Sequence, residues 1–365
     1  MADHVSDRTP RERAAQLIEW QADACGRLAS RLYELLLHRV ADDVRAGGVC
    51  ARAIAGYEEA PGPDAIALRL AGGVHALALT GRAPRLAAHY PSAGGVFREE
   101  RAGELWLAFQ AAVESETAWV RDWMTRPPQT NEVGRAALLL PGLLNAVARH
   151  PLPVRLFELG ASAGLNLRAD AYRVTGPGFT IGPAGSPVRL EDAWREPVPG
   201  WLRSAAQAHP VPAVQQRRGC DISPVDPLTE QGALALRAYV WPDQEARAAR
   251  LEGALRVARE VPAEVERAGV DTFLSGVELR PGTLTVVWHS VMRQYVPAAQ
   301  WSRAEAELTR LAAASSAGAP FAHVAFEPRR VGDTHRFRLS VRVGDGPEEI
   351  LAGAPGHGVP AYGLR

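Results

Sequence analysis

The stretch FELGASAGLNL, residues 157–167, follows an apolar segment with a turn of small residues, and its interpretation decides the fold. One interpretation is G-x-S-x-G, formed by Gly160, Ser162 and Gly164. This is the pattern of the nucleophile elbow of an α/β-hydrolase, in which Ser162 would be the attacking group. The other interpretation begins at Glu158 and reads acid-x-Gly-x-small-x-Gly, which is typical of a loop that supports a nucleotide-like cofactor. The two interpretations require different elements before the turn.

The 150 residues before the turn are predicted to be mostly helical. Apolar residues recur at helical spacing from Arg11 to Arg45, which predicts one long amphipathic helix or two. Another helix is predicted from Asn131, as its N-cap, to about His150, with a bend at Pro141. Further helices are predicted at 64–79 and 104–124.

From residue 151 onward, strand patterns alternate with helical patterns, which predicts a parallel sheet. The fold class is therefore predicted to be α/β: a Rossmann-like domain, 151–365, ends in an antiparallel hairpin and follows an α-helical domain, 1–150. We expect the helical domain to cover the substrate. Strands are predicted at 154–158, 214–221, 263–271, 283–290 and 321–328; helices at 163–172, 228–241, 243–260 and around Trp301 and Leu308; an inserted hairpin at about 175–200; and a closing hairpin that turns at Asp345-Gly346.

This order of elements disfavours the hydrolase. An elbow serine sits on a central strand, so several strands and an oxyanion-forming loop should precede it. Here the strand before Gly160 is predicted to be the first of its sheet. Partners for Ser162 can still be found in the order Ser, Asp, His; the candidate acids are Asp226 and Asp271, and the candidate histidines are His289, His323, His335 and His357.

The cofactor interpretation accounts for more of the turn. Gly160 and Gly164 let the backbone approach a flat ligand, and a helix start behind the turn would offer free N–H groups. The dinucleotide fingerprint G-x-G-x-x-G fits less well, because Leu165 occupies the position of its third glycine.

The part of the chain after residue 150 resembles the class I S-adenosylmethionine-dependent methyltransferases. Their first motif is acid-x-Gly-x-Gly-x-Gly, and Ser162 replaces its middle glycine here. The segments ELGASAGLNL, GCDISPVDP, WPDQEARAARL and PPQTNEVGRA are more closely similar to a bacterial family known only as a domain of unknown function, over nearly the whole chain. The resemblance implies S-adenosylmethionine as cofactor, S-adenosylhomocysteine as product, and leaves the substrate open.

The resemblance also implies roles for residues along the turn and at the strand ends. Glu158 would anchor the methionine end of the cofactor, and Asp221 would accept both ribose hydroxyls, with Asp226 as its substitute. Asp271 would meet the adenine amino edge. The floor of the site would be formed by Gly160, Ser162, Gly164 and the neighbouring Asn166.

Substrate-binding and catalytic residues are predicted from two segments. Residues 127–135, PPQTNEVGR, are dense in hydrogen-bonding side chains, and Gln129, Asn131 and Arg135 are expected to face the substrate. Alternatively, Asn131 only caps the helix and Arg135 pairs with Glu132. His289 follows a buried strand at the end where α/β sheets bind ligands, so His289 or Glu132 would accept a proton from the acceptor. Tyr295 is expected to line the pocket, and Tyr172 and Trp241 are further candidates.

Composition excludes several classes of protein. All 41 basic residues are arginine, which excludes Schiff-base, pyridoxal phosphate and P-loop chemistry, since each requires a lysine. The formal net charge is zero without a basic tract, so no nucleic-acid partner is expected. The cysteines, at 25, 50 and 220, fit neither a disulfide framework nor a zinc site and are expected to be buried. Neither a signal segment nor a membrane span is recognised, so a cytoplasmic location is expected.

The sequence thus predicts a methyltransferase that acts on a small molecule. Chemistry of the same cofactor without methyl transfer, and a binding protein that has kept the fold without catalysis, remain open. The serine hydrolase is the least favoured alternative. The oligomeric state is not predicted.

Overall fold

The computed structural model describes residues 9–62 and 65–364, so Asp64, the first residue of one predicted helix, lies outside the described residues. The helices, in chain order, are α1 (Pro10–Arg27), α2 (Arg31–Ala46), α3 (Val49–Ala53), α4 (Ile66–Leu79), α5 (Pro84–Ala87), α6 (Ala102–Ser115), α7 (Thr117–Met124), α8 (Ala136–Arg149), α9 (Gly200–Ala208), α10 (Glu230–Ala238), α11 (Glu245–Glu260), α12 (Val270–Ser275) and α13 (Ala298–Ala313). The strands are β1 (Val154–Leu159), β2 (Arg173–Gly176), β3 (Phe179–Ile181), β4 (Arg189–Leu190), β5 (Trp194–Arg195), β6 (Val214–Asp221), β7 (Glu264–Arg267), β8 (Leu284–Ser290), β9 (Phe321–Val331), β10 (Thr334–Val343), β11 (Glu349–Ala354) and β12 (Ala361–Gly363).

The chain forms two compact units. One contains the described residues up to Thr130 together with Glu230–Ala248, and the other contains Asn131–Thr229 together with the described residues from Ala249 onward. The predicted boundary at 150 differs from this division, because α8 packs on β9 and β10 of the sheet, and α10 packs on α4. An amphipathic helix does not reveal in its own sequence which neighbour it will cover.

The helical unit is built around α1, α2 and α4. The first predicted helical region is two helices: Ala29 between them has a φ of 61°, and the Ser30 side chain accepts a hydrogen bond from the Tyr33 N–H at the start of α2. Helix α4 is apolar around nearly its whole circumference and is almost entirely buried. Its one imidazole, His75, is bonded at both ring nitrogens, to the Ala238 carbonyl oxygen (3.0 Å) and the Ser92 hydroxyl (2.7 Å).

The other unit contains a mixed α/β sheet of nine strands in the order β5-β12-β11-β10-β9-β8-β1-β6-β7. The neighbours from β9 to β7 are parallel, the pairs from β9 to β12 are antiparallel, and β5 runs parallel to β12. β1 is the first strand of the described chain and lies in the interior of the sheet. After β1 the chain continues to β6 and β7 on one side, then returns to β8 and β9 on the other. Between β1 and β8, strand order therefore reverses direction.

The five predicted parallel strands are all present, and β10 and β11 form the predicted hairpin around Asp345-Gly346. The structure adds an antiparallel β9–β10 pair around Gly332-Asp333 and two short strands, β12 and the edge strand β5. The inserted hairpin begins slightly earlier than predicted, at Arg173, and forms a separate sheet in the order β3-β2-β4. The three cysteines are buried, as expected.

The helix predicted at 163–172 is wrong: a six-residue 3-10 helix, Asn166–Ala171, stands there. Side chains take the carbonyl oxygens that an α-helix would use. The Gly164 carbonyl accepts from the Arg168 side chain, and the Leu165 carbonyl accepts from the Tyr172 hydroxyl. The N–H groups expected at a helix start behind the glycine turn are therefore not presented as predicted.

The start of the helix predicted from Asn131 also differs in the structure. A 3-10 turn, Val133–Arg135, precedes α8, and Glu132 caps it by accepting from the Gly134 N–H (3.0 Å). Asn131 is not the cap. The third strand, β7, ends at Arg267, so Asp271 lies in the first turn of α12 and not at a strand end.

None of the helices in the ranges 9–62 and 65–364 combines the length and the apolar character needed to cross a bilayer.

Candidate functional site

The glycine turn lies where the order of the parallel strands reverses. It follows the carboxyl end of β1, between the carboxyl ends of β6 and β8. Open α/β sheets bind their ligands in the crevice outside the strand ends at this point. The turn is therefore the candidate functional site of the sheet unit.

Three residues of the turn have left-handed backbone conformations. Gly160 and Gly164 both have a φ of 66°, and Ser162 has a φ of 53°. Glycine adopts this region freely, whereas a residue with a Cβ is disfavoured there by about 1–2 kcal/mol. Ser162 is therefore held in a conformation that its own side chain does not favour.

Asp221, at the end of β6, holds this turn in place. One of its carboxylate oxygens accepts a hydrogen bond from the Ser162 N–H (2.9 Å), and the other accepts from the Ser223 N–H (2.8 Å). The Val225 N–H donates to the Ser162 carbonyl oxygen (3.2 Å). The predicted ribose-binding residue is thus at the predicted strand end, with one oxygen bound to the turn and the other to the loop after β6. Its substitute, Asp226, accepts from the Leu228 N–H in the following loop.

Side chains pack closely against both glycines of the turn. A Cβ added to Gly160 would lie 2.9 Å from the Cβ of Met292, and one added to Gly164 would lie 2.8 Å from a methyl carbon of Val265. Both glycines are required by these approaches as well as by their φ angles. Met292, which the sequence did not single out, covers part of the predicted cofactor floor.

Glu158 is the most deeply buried carboxyl group of the turn, with a relative exposure of 2%. Its Oε2 has no hydrogen-bond partner. Burial raises the pKa of Glu158 to about 8, against smaller opposing effects of Trp288 and of the Arg135 charge. The indole N–H of Trp288 itself makes no hydrogen bond of normal geometry. The carboxyl group is therefore largely neutral at neutral pH and lies beside other unsatisfied polar atoms.

The segment that contains Asn131 and Glu132 is bonded to the turn from the other side. The Asn131 side-chain oxygen accepts from the Leu165 N–H (2.8 Å), and the Asn166 side-chain nitrogen donates to the Glu132 carbonyl oxygen (3.3 Å). The side-chain oxygen of Asn166 is buried without a partner. The structure therefore brings Asn131, Glu132, Glu158 and Asn166 into one region.

Arg135 joins this segment to the carboxyl end of β8. Its guanidinium donates to the carbonyl oxygens of Ser290 (3.2 Å) and Gly356 (3.2 Å). The alternative expectation, in which Arg135 pairs with Glu132, stays a prediction. Gln129 belongs to the helical unit.

His289 lies on the opposite face of the sheet from Glu158. Glu158 pairs with Trp288 and Leu159 pairs with His289, and successive side chains of a strand point to opposite faces. The ring nitrogens of His289 are 2.8 Å from Glu327 Oε1 and 3.1 Å from the Nε2 of His323. The structure therefore does not bring the two predicted catalytic residues, His289 and Glu132, together.

The remaining predicted residues lie apart from the turn or are already bonded. Asp271 binds Gln300 (2.8 Å) and Arg303 (2.7 Å), which lower its pKa to about 2. Tyr295 is 58% exposed, in a 3-10 turn after β8. Tyr172 is buried with its hydroxyl donated to Leu165, and Trp241 lies in the core of the helical unit.

Trp288 and Met292 lie beside the candidate site but are not among the residues that the sequence predicts for it. Both follow from the strand register: Trp288 lies beside Glu158 in the β1–β8 pair, and Met292 follows the end of β8. The run TLTVVWHS predicts the strand but not the residue it places next to Glu158. Only the register between β1 and β8 identifies Trp288 as the neighbour of Glu158, and a single sequence does not display that register.

The chain belongs to the family described as "Uncharacterized protein conserved in bacteria (DUF2332)", which matches residues 15–362. No curated protein and no solved structure matches the chain.

Proposed function

We propose that this protein binds S-adenosylmethionine at the carboxyl ends of β1 and β6 and transfers its methyl group to a small-molecule acceptor. The observation that carries the proposal is the unpartnered oxygen of the buried Glu158 carboxyl group, next to a left-handed glycine turn, at the point where strand order reverses. A buried polar atom without a partner is costly, and a ligand that supplies the partner removes that penalty.

The unsatisfied atoms fit the methionine end of this cofactor in number and kind. Glu158 Oε2 and Asn166 Oδ1 are acceptors, which suit an ammonium group, and Trp288 Nε1 is a donor, which suits a carboxylate. A cationic ammonium would also favour the ionised form of Glu158.

Two side chains at the turn, Met292 and Asp221, already occupy positions or acceptor sites that the cofactor would use. Met292 lies over Gly160 through its Cβ and Cγ, so the ligand would lie beside these two atoms, while the end of this unbranched side chain can rotate away. Asp221 uses one acceptor site on one oxygen for the turn and one on the other oxygen for the Ser223 N–H. Since each carboxylate oxygen has two acceptor sites, ribose hydroxyls could still be bound.

When bound, the cofactor supplies a methyl group on a positively charged sulfur. The chain would hold the acceptor in line and exclude water, an alignment effect that can contribute about 7–11 kcal/mol. Glu132, buried and bonded to the Gly134 N–H, is the residue proposed to accept a proton from the acceptor. His289 is a weaker candidate for this site, because it faces the other side of the sheet.

A binding protein without catalysis is the second candidate. The occupation of the floor by Met292 and the engagement of Asp221 with the turn favour it. Chemistry of the same cofactor without methyl transfer would use the same pocket. The hydrolase is disfavoured because β1 is the first strand of the described chain, so no earlier strand there can carry an oxyanion loop.

The test is calorimetric titration with S-adenosylhomocysteine of the wild type, Glu158→Gln and a matched control, Glu264→Gln. The control removes a carboxylate of β7 that is 78% exposed. As the pH is raised toward about 8 and Glu158 ionises, we expect wild-type affinity to increase about tenfold per pH unit. In Glu158→Gln the affinity should be at least about tenfold lower than in the wild type. The control should bind as the wild type does.

Absence of binding to the wild type, or equal binding to Glu158→Gln, would overturn the cofactor proposal. Where binding is observed, incubation of the protein with S-adenosylmethionine and metabolite extracts separates the candidates. Cofactor turnover supports the transferase, and binding without turnover supports the binding protein. Labelling of Ser162 by a fluorophosphonate would instead support the hydrolase.

A further inference from the structure

A second polar cavity lies on the opposite face of the sheet from Glu158. It has a volume of about 550 Å³ and is lined by residues of β8, β9, β10 and α13, by Arg293 after β8 and by Glu348 before β11. His289, His323 and Glu327 line it together. None of these groups is used by the glycine turn.

The three side chains form a hydrogen-bonded chain. Glu327 Oε1 is 2.8 Å from His289 Nδ1, and His289 Nε2 is 3.1 Å from His323 Nε2. Burial favours a neutral Glu327, but hydrogen bonds from His289 and from the Met292 and Arg293 N–H groups outweigh it and lower its pKa. Glu327 is therefore a carboxylate.

When His289 is neutral, the carboxylate determines the tautomers of the two rings. His289 donates from Nδ1 to Glu327, so neutral His289 presents an acceptor at Nε2. His323 must then donate from its own Nε2, and its Nδ1 is left without a proton. The chain ends in a basic nitrogen on a residue that lines the cavity.

The environment of His323 keeps it neutral. Burial lowers its pKa well below the ordinary value of 6.5, and the repulsion that His289 exerts when it is protonated and the charges of Arg342 and Arg329 act in the same direction. The charged or titratable groups that face the cavity are His289 on β8, Arg293 after β8, Glu305 on α13, Glu327 and Arg329 on β9, Arg342 on β10 and Glu348 before β11. An anion among these groups would raise the proton affinity of His323.

Two of the arginines form no ion pair, although the charge of Arg342 is near enough to Glu348 to help lower the pKa of that carboxyl group. The side chains of Arg342 and Arg293 make no hydrogen bond or ion pair with the described residues, although Arg293 lies over the Trp301 ring, at 4.7 Å. The Nε of Arg342 is buried as well as unpartnered. Burial of a cationic donor without an acceptor is unfavourable unless a ligand supplies the anion.

The acidic groups of the cavity are already occupied. Glu348 forms an ion pair with Arg329, and Glu305 accepts from the Trp301 indole N–H (2.6 Å). Glu327 is bound by His289 and by two backbone N–H groups. The charge left without a partner is therefore positive.

We propose that this cavity is a second ligand site, which binds a small organic anion with a carboxylate or phosphate group between Arg342 and Arg293, and that binding is coupled to uptake of one proton at His323. The proton enters at Nδ1 of His323. The Nε2 proton can then pass to Nε2 of His289, and the Glu327 carboxylate stabilises the resulting imidazolium. No bond other than N–H bonds is formed or broken. Guanidinium forks match both kinds of anion.

The test titrates malonate and inorganic phosphate into the wild type, Arg342→Gln and a control, Arg336→Gln, by calorimetry. Arg336 is an exposed arginine of the same strand and does not line the cavity. We expect Arg342→Gln to lose at least about tenfold in affinity and the control to be unchanged. Tighter binding of phosphate than of malonate would assign a phosphate ligand, and the reverse would assign a carboxylate.

The proton is counted by repeating the malonate titration near pH 7 in two buffers of different protonation enthalpy. The wild type should take up about one proton on binding, and His323→Gln should bind malonate without that uptake. Since Arg342 forms no hydrogen bond or ion pair with the described side chains, its substitution should not lower stability in urea unfolding, and the test stays interpretable if His323→Gln fails to fold.

No binding of either anion, equal binding to wild type and Arg342→Gln, or binding without proton uptake would overturn the proposal. Titration of the same variants with S-adenosylhomocysteine keeps the two sites separate. Arg342→Gln should leave that affinity unchanged, since Arg342 lines the cavity on the other face of the sheet. The proposal for the second site can therefore be refuted while the proposal for the first is supported, and the reverse also holds.

Discussion

The buried carboxyl group of Glu158 should make the protein less stable as the pH rises above neutrality. Its pKa is about 8 in the folded chain against an ordinary value of 4.5, and burial is the main cause. The folded state therefore binds more protons than the unfolded state between these values, so the free energy of unfolding falls as pH increases. One pKa unit corresponds to about 1.4 kcal/mol. Between pH 6.5 and 8 the loss is about 1.6 kcal/mol, because the group is already half ionised at pH 8.

Glu158→Gln should remove this dependence, because an amide does not ionise. Unfolding by urea at pH 6.5, 7.25 and 8 gives the difference in free energy between wild type and variant. We expect that difference to shift by about 1.6 kcal/mol in favour of the variant across the series. The exposed control Glu264→Gln should show no such shift. Parallel pH dependence of wild type and Glu158→Gln would refute the assignment of a buried, neutral carboxyl group.

Three further predictions concern other structural features. Gly164→Ala should destabilise the fold by about 2–4 kcal/mol in urea unfolding, since the added Cβ would lie 2.8 Å from Val265 and the alanine backbone would be held at a φ of 66°; a loss below about 0.5 kcal/mol would contradict this geometry. Asp221→Asn should loosen the turn, seen as faster hydrogen exchange at the Ser162 amide while core strands keep their protection; unchanged exchange would show that another group holds the turn. Burial lowers the pKa of His75 to about 4, so the unfolded chain takes up its proton first, and the helical unit should lose up to about 3 kcal/mol as pH falls from 6.5 toward 4; His75→Gln should lack this loss.

The order of strands and helices in the sheet unit was largely predictable from sequence. Apolar runs such as 283–290 identify buried parallel strands, because both faces of such a strand are covered. The closing hairpin was predictable because Asp-Gly between alternating segments is a strong turn signal. These are local properties, and local properties are what a single sequence displays.

The arrangement of the site was less predictable, because it depends on register and on side chains distant in sequence. His289 and Glu158 both end strands, but the pairing of Glu158 with Trp288 puts them on opposite faces. The helix expected after the turn is a 3-10 segment because Arg168 takes the Gly164 carbonyl. Asn131 has the sequence of a cap, yet its side chain binds the Leu165 N–H, 34 residues away.

The two proposed sites should respond to pH in opposite directions, for one physical reason. Each contains a buried titratable group held in its uncharged form: burial keeps Glu158 protonated, and burial with neighbouring cations keeps His323 unprotonated. A cationic ligand at the glycine turn must displace a proton from Glu158, so its affinity should rise with pH toward 8. An anion in the second cavity must bring a proton to His323, so its affinity should fall with increasing pH. Ligands on opposite faces of one sheet would therefore be exchanged by a pH change that leaves the fold intact, and matching pH dependences would contradict the assignment of charge at one of the two sites.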